Sequence, residues 1–378
     1  MGGMRTRIHP AGRSLFLPAL AAGAILALAT TARLAPPVLA QTAPAPASAL
    51  TPSPTPFKLG MFRLANRTFA GAVLNDATVI DLASARPMLP RDVNQLIATW
   101  AKSRQLIVDV IGVVTSGVSK PAYVHDIGAL TVLPPVTPRI ILNATLNYQE
   151  HADELAKNPG AVAGVSAADV AGTQKPVASM PGVWARADGD TRHNPYFFIK
   201  PTTAMIGHGD AIRVPVGREQ IDAECELTVV VGATASRVPV DKAGDFVFGY
   251  TIQNDVSDRR GRADDRHGSD WLVAKGFDTF APIGPFVVPK EFVPDPQKLA
   301  VTLKHNETLM TDSSTSRMTH TVRELLSFAS HVMTLQPGDL LDTGSPAGVG
   351  ASRQLFLKPG DVSTCTVEGV GTLRNPVK

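Results

Sequence analysis

The chain has 378 residues, of which 44% are hydrophobic and 18% charged, with 31 Gly, 31 Pro, two Cys and a formal charge of +3. That composition is globular: too apolar for a disordered chain, and without the repeats or cysteine density of a collagen, a coiled coil or a disulfide scaffold. The mild basicity belongs to the N-terminus, because Arg5, Arg7, Arg13 and Arg33 fall in the first 40 residues, which hold no Asp or Glu; the remainder carries 32 basic against 33 acidic side chains. Nothing in that balance points to nucleic acid or to an anionic membrane surface.

Residues 1 to 13 supply three of those arginines, and residues 14 to 32 (SLFLPALAAGAILALATTA) form an apolar run. Val38 and Ala40 then provide the small residues of a cleavage site. A signal peptide over 1–40 is expected, taking the general secretory route and leaving a periplasmic or secreted protein whose membrane contact ends with that segment. An uncleaved anchor is the alternative. In such a compartment Cys225 and Cys365 are open to oxidation, but two cysteines are too few for a framework, and both read as small buried side chains.

Residues 41–57 (QTAPAPASALTPSPTPF) read as an extended linker. From Lys58, KLGMFRLA, RTFAGAVL and TVIDLAS predict three short strands, and RDVNQLIATWAKSRQLIVDVIGVV a helix, together a small N-terminal α+β domain over 58–135. Residues 136–378 are strand-rich: PRIILNATL, YFFIKP, AIRVP, CELTVVVGA, DFVFGYTI, FAPIGPFVV and DVSTCTVEGVGTL are apolar runs bounded by turn residues, too irregularly spaced for parallel βαβ winding. Helices are expected from Tyr148 to Lys157 and from Thr321 to Met333, and the long Gly/Ala/Pro-rich stretch 158–194 reads as a lid.

Glu224 and Glu226 flank Cys225 at the start of a Val-rich strand, where alternate side chains share one face and two carboxylates can converge on a hard cation. Taken alone the pattern is equally a solvated strand face; Asp255, ending the apolar run GYTIQND, supplies a third acid, though Asn254-Asp255 also suits a plain turn. Oxygen ligands of this kind suit Mg²⁺, with Mn²⁺ or Ca²⁺ as alternatives, better than zinc. His151 and Glu154 lie three apart on the expected helix, placed to form an imidazole–carboxylate pair, although a histidine in a charged first turn is more often a plain surface residue. Lys200 and Lys275 each follow an apolar stretch, and GSPAGVG over 344–350 offers backbone amides to an anion but lacks the Lys-Ser/Thr of a phosphate-binding loop.

The ordered blocks NYQEHADE, FFIKP, IDAECELTVVVG, GYTIQNDVSDR, KGFDTFAPIGPFVV, LMTDSSTSRM and TLQPGDLLDTGSPAGVG resemble the catalytic domain of the fumarylacetoacetate hydrolase family over about 138–377. The resemblance implies a β-rich α+β fold of mixed β-roll type and metal-dependent chemistry on 2-oxo or 2-enol acids. It makes Glu224, Glu226 and Asp255 the metal ligands, His151 with Glu154 the water-activating dyad, and Lys275 the cation beside metal and substrate. Lys200, Ser345 and Gly348 fall where substrate is held, and a homodimer is implied. The reading is of a C–C hydrolase acting on an acylpyruvate or a fumarylacetoacetate-like diketo acid, with an isomerase or decarboxylase of 2-hydroxy-diene dicarboxylates, or a non-catalytic binding protein, as alternatives. Thr145-Leu146 in place of Gly-Arg, Arg317 in place of Asp and Ser345 in place of Thr depart from the family pattern beside the substrate.

Overall fold

The computed structural model describes residues 53, 55–117, 120–157, 178–261, 264, 266 and 270–378. The expected signal peptide and nearly all of the linker lie outside them, as does 158–177 of the expected lid. Among the described residues no helix is long and apolar enough to cross a membrane. The described residues form one compact unit.

Strands β1 (Lys58–Leu64), β2 (Arg67–Leu74) and β3 (Thr78–Asp81) form the expected meander. The third run stops short of TVIDLAS because the Asp81 carboxylate accepts from the Ser84 amide and caps a helical turn at Leu82–Ala85. The single helix expected next is two, α1 (Val93–Ala98) and α2 (Trp100–Ser116). They break at Thr99, whose hydroxyl donates to the Gln95 carbonyl at 2.7 Å, the local bonding with which Thr competes against helix continuation. Strand β4 (Val124–Asp126) follows.

The principal elements that follow are β5 (Ile141–Ala144), α3 (Gln149–Lys157), β6 (Phe197–Lys200), β7 (Cys225–Val231), β8 (Val247–Asn254), α4 (Trp271–Lys275), β9 (Ala281–Pro289), β10 (Ala300–His305), β11 (Thr308–Ser314), α5 (Val322–Val332), β12 (Leu340–Asp342), β13 (Val362–Val367) and β14 (Gly371–Pro376). A large mixed sheet runs β4-β3-β2-β1-β9-β8-β7-β12-β5-β6, and a second sheet runs β11-β10-β13-β14. The fold is β-rich α+β, as expected. The boundary placed near 135 falls inside one continuous sheet, since Leu59 of β1 pairs with Val287 of β9. AIRVP, expected as a strand, makes only a bridge between Ile212 and Val377.

Strand β7 shows how the sheet serves two purposes. Cys225, Leu227, Val229 and Val231 point into a core shared with α5 and the second sheet, at Leu325, Leu326, Leu303 and Leu373. The opposite face begins with Val230, packed with Leu96, Ile107 and Ile111 of the N-terminal helices, and continues to Thr228 and Glu226. One face therefore passes from apolar packing to carboxylate along a single strand. Helix α5 is fixed at its start by a capping box between Thr321 and Glu324.

Cys225 and Cys365, expected as separate thiols, form a disulfide between two fully buried positions 140 residues apart. The correction arises from pairing invisible in the sequence: β7 and β13 lie in different sheets, and their inner faces meet at these two sulfurs.

Candidate active site

Register builds the site. Cys225 pairs with Asn254 and Glu226 with Gln253 across β7 and β8, so with Cys225 directed into the core, Glu224, Glu226 and Asp255 gather on the other face. The Asn254 side chain locks this edge by accepting from the Glu224 amide at 3.0 Å and donating to Ser363 at 3.0 Å. Asn254-Asp255 is thus both a strand end and an anchor. One oxygen from each of Glu224, Glu226 and Asp255 lies within 4.8 Å of the others, and all three residues are buried.

Three cations surround these acids. Lys275 Nζ lies 2.7 Å from Glu224 and 2.5 Å from Asp255. Lys200 donates to the other Asp255 oxygen at 2.6 Å and to the Val256 carbonyl at 2.9 Å. Arg259 bridges Glu224 at 2.6 Å and Asp222 at 2.8 Å. Burial pushes both lysines down, but Lys275 faces two carboxylates and ends above its ordinary range, whereas Lys200 shares one with Lys275 and ends below. Glu224 is held well below the usual carboxylate range: burial opposes this, and the charges of Arg259 and Lys275 outweigh it. Glu226 is pushed well above that range by burial and then by Asp342, Asp255 and Glu224.

Asp342 was not legible as a site residue. It is fully buried, accepts from the Thr228 hydroxyl and from Asn143 at 2.7 Å, and is likewise raised, first by burial and then by Asp255. Among the described residues, Asp342 and Asp222 thus join Glu224, Glu226 and Asp255 as five carboxylates around Lys200, Lys275 and Arg259. A bound divalent cation would offset that excess, and three buried carboxylates make a hard-oxygen donor set suited to one. The residues present fit a divalent metal held by Glu224, Glu226 and Asp255.

His151 and Glu154 lie on α3 with Nδ1 to Oε2 at 3.2 Å, and Nε2 lies 3.6 Å from Glu224. Burial lowers the imidazole, but the contacts with Glu154 and Glu224 outweigh it and the net shift is upward. The GSPAGVG loop does cradle anions, and they are the protein's own. Gly344 N–H donates to Glu226 at 2.8 Å, Gly348 N–H to Glu154 at 2.9 Å, and Gly350 and Ala351 N–H to Asp222 at 2.7 and 2.9 Å. Gly348 has φ +104°, and a Cβ there would meet the Met310 carbonyl oxygen at 2.2 Å, so only glycine brings this amide so close. Ser345 is buried with its hydroxyl on the Pro346 carbonyl.

Lys200, placed by resemblance at the substrate, is fully buried with its ammonium engaged by Asp255 and Val256. Arg259 and Asp222 were the unrecognised supports, although both stand in the quoted blocks. Residues 178–194 of the expected lid pack on the α5 end: Trp184 contacts His320 and Phe328, and Arg192 binds Asp190, Glu324 and the Thr319 carbonyl.

The sequence profile described as fumarylacetoacetate (FAA) hydrolase C-terminal matches residues 140–378, the whole segment that carries these groups. The chain belongs to this family. Among FAA hydrolase relatives, the oxaloacetate tautomerase fahd2, mitochondrial, of Xenopus laevis is 38% identical over 185 residues, 48% of this chain and 58% of that protein. The crystal structure of 2-hydroxyhepta-2,4-diene-1,7-dioate isomerase from Mycobacterium marinum superposes with a TM-score of 0.59 at 26% identity, covering 85% of this chain and 98% of that one. Maleylpyruvate hydrolase from Sphingobium sp. SYK-6, solved with manganese(II) and pyruvate, shares the fold with a TM-score of 0.61 at 24% identity and coverages of 85% and 98%. FAA hydrolase relatives thus include hydrolases, isomerases and tautomerases.

Proposed function

We propose that this family member is a divalent-metal-dependent enzyme that hydrolyses a C–C bond in a 2-oxo (enol) acid of the acylpyruvate type, with Mg²⁺ as the metal. The observation that carries the reading is the His151 imidazole, held by Glu154 on one side and set 3.6 Å from Glu224 on the other. It is a proton acceptor placed directly beside the carboxylate trio. A divalent cation bound to Glu224, Glu226 and Asp255 supplies a Lewis acid for the 2-oxo oxygen. His151, oriented by Glu154, takes the proton of a water molecule attacking the distal carbonyl. The Lys275 ammonium, 2.5 Å from Asp255, is positioned to stabilise the negative charge that develops on substrate oxygen. Lys200 and Arg259 orient Asp255 and Glu224, and the loop amides orient Glu226 and Glu154.

The tautomerase relative favours a second reading, in which the same base moves a proton along the substrate's carbon chain and no water attacks. The two are separated by product analysis. Purified protein is assayed on acylpyruvates after chelation and again after Mg²⁺ or Mn²⁺ is restored. Cleavage to two acids, recovered with metal and lost in Glu226→Ala, is expected; turnover indifferent to chelator refutes the metal assignment, and a changed double-bond position without cleavage selects the second reading. We also propose that the mature protein is exported, a reading supported by the arginine-led apolar N-terminus and by the Cys225–Cys365 bond.

A further inference from the structure

Two rows of side chains lead outward from Asp255. Along the extended chain entering β6, Tyr196, Phe198 and Lys200 alternate onto one side. On α4, Trp271 and Lys275 stand four residues apart and so share one helical face, the helix being started by Asp270 accepting from the Val273 amide. The rows face each other rung by rung. At the inner end, Lys200 and Lys275 take the two oxygens of Asp255. Next, the Phe198 ring lies 5.1 Å from Lys275 Nζ and stacks on Trp271 with centroids 4.7 Å apart and planes 18° apart. Outermost, Trp271 meets Tyr196 at 6.0 Å, and Tyr196 is 51% exposed.

We propose that Tyr196, Phe198 and Trp271 form a subsite for a planar aromatic or conjugated group at the far end of the 2-oxo acid. This rests on the function proposed above, which sets the acid head at the carboxylate trio and Lys275. The largely buried Phe198 ring lies against that ammonium, and the partly open indole of Trp271 stacks on it. Flat rings in offset stacks favour another flat ring over an alkyl chain of equal size, because quadrupole and dispersion terms add to area burial. The charge needed for the acid head and the apolar surface needed for the tail therefore stand on the same two elements.

The test uses the metal-loaded mature protein and two readouts. Calorimetry compares pyruvate with phenylpyruvate, which share the acid head and have no second carbonyl to cleave; kcat/KM is compared for acetylpyruvate and benzoylpyruvate. The aromatic member of each pair is expected to be favoured about ten-fold, and that ratio to collapse in Trp271→Ala while Trp271→Phe retains most of it. If Trp271→Ala does not fold, Tyr196→Ala at the exposed end must lower the ratio instead. A ratio near one in the parent protein, or one unchanged in both alanine variants, overturns the subsite. Turnover of both acylpyruvates without aromatic preference removes the subsite and leaves the proposed reaction standing. Aromatic-selective binding with no cleavage does the reverse.

Discussion

Reducing Cys225–Cys365 with both sulfurs left in place opens a covalent loop of 140 residues and changes little else. In the chain-entropy description, closing a loop of that length removes about 5 kcal/mol of conformational freedom from the unfolded chain, and measured effects fall more often between about 2 and 4 kcal/mol. Both half-cystines are fully buried and join the β7 core to the second sheet, and the loop-closure effect itself resides in the unfolded ensemble. Urea unfolding followed by far-UV circular dichroism, with and without a phosphine reductant, is expected to move the midpoint down by roughly 1–2 M on reduction. Cys225→Ala combined with Cys365→Ala should unfold at one midpoint irrespective of reductant. Two thiols titrating in the denatured, unreduced protein would refute the bond itself. Coincident midpoints for oxidised and reduced chains would refute the loop argument.

The interior histidine His320 is pushed down to about 4 by burial and then by His193 and Arg192, while the unfolded chain protonates near 6.5. The unfolded state therefore takes the proton first on acidification, and the stabilisation present above pH 6.5 is lost as pH falls towards 4, by up to about 3 kcal/mol. Urea midpoints across that window should slope less steeply in His320→Gln than in the parent, and equal slopes would exclude His320 as the source. Gly348→Ala places a methyl against the Met310 carbonyl at φ +104° and should cost about 1–3 kcal/mol or more by urea unfolding. Because the displaced amide holds Glu154, kcat should fall in that variant even where metal affinity measured by calorimetry is retained. Thr321→Ala removes one half of the α5 capping box and should lower stability by about 1 kcal/mol in the same assay without altering kcat.

The pairing of Glu224 with Glu226 in the carboxylate trio was legible because it depends on short range, whereas Asp255 joins them through the β7–β8 register. Glu224 and Glu226 share a face through strand alternation, and the Val-rich run after them left little doubt about the strand. His151 and Glu154 were legible for the corresponding helical reason. What sequence left hidden depends on contacts between distant segments. Asp342 closes LLD in a short strand, and only its pairing with Thr228 and Asn143 makes it a buried acid behind the ligands. Lys200 was set at the substrate by resemblance alone; here Asp255 and the Val256 carbonyl enclose it. The five-residue helix Trp271–Lys275 is too short to announce itself by periodicity, yet its single turn is what sets the Trp271 indole and the Lys275 ammonium against the same Phe198 ring. The continuity of β1 with β9 and the union of the cysteines likewise follow from long-range pairing.

The loop after β12 ties together groups that chemistry would treat as separate. One stretch of eight residues supplies amides to Glu226, to Glu154 and to Asp222, which steadies Arg259. Such a stretch behaves as a single gear: in the proposed reaction, substitutions within it are expected to shift metal binding and proton transfer together, and pairs of them to combine non-additively. An enzyme so wired has little freedom to alter what it accepts by changing that loop. On the proposed reading, variation in substrate range is left to surfaces that no amide there supports, and the aromatic row beside α4 is the proposed one.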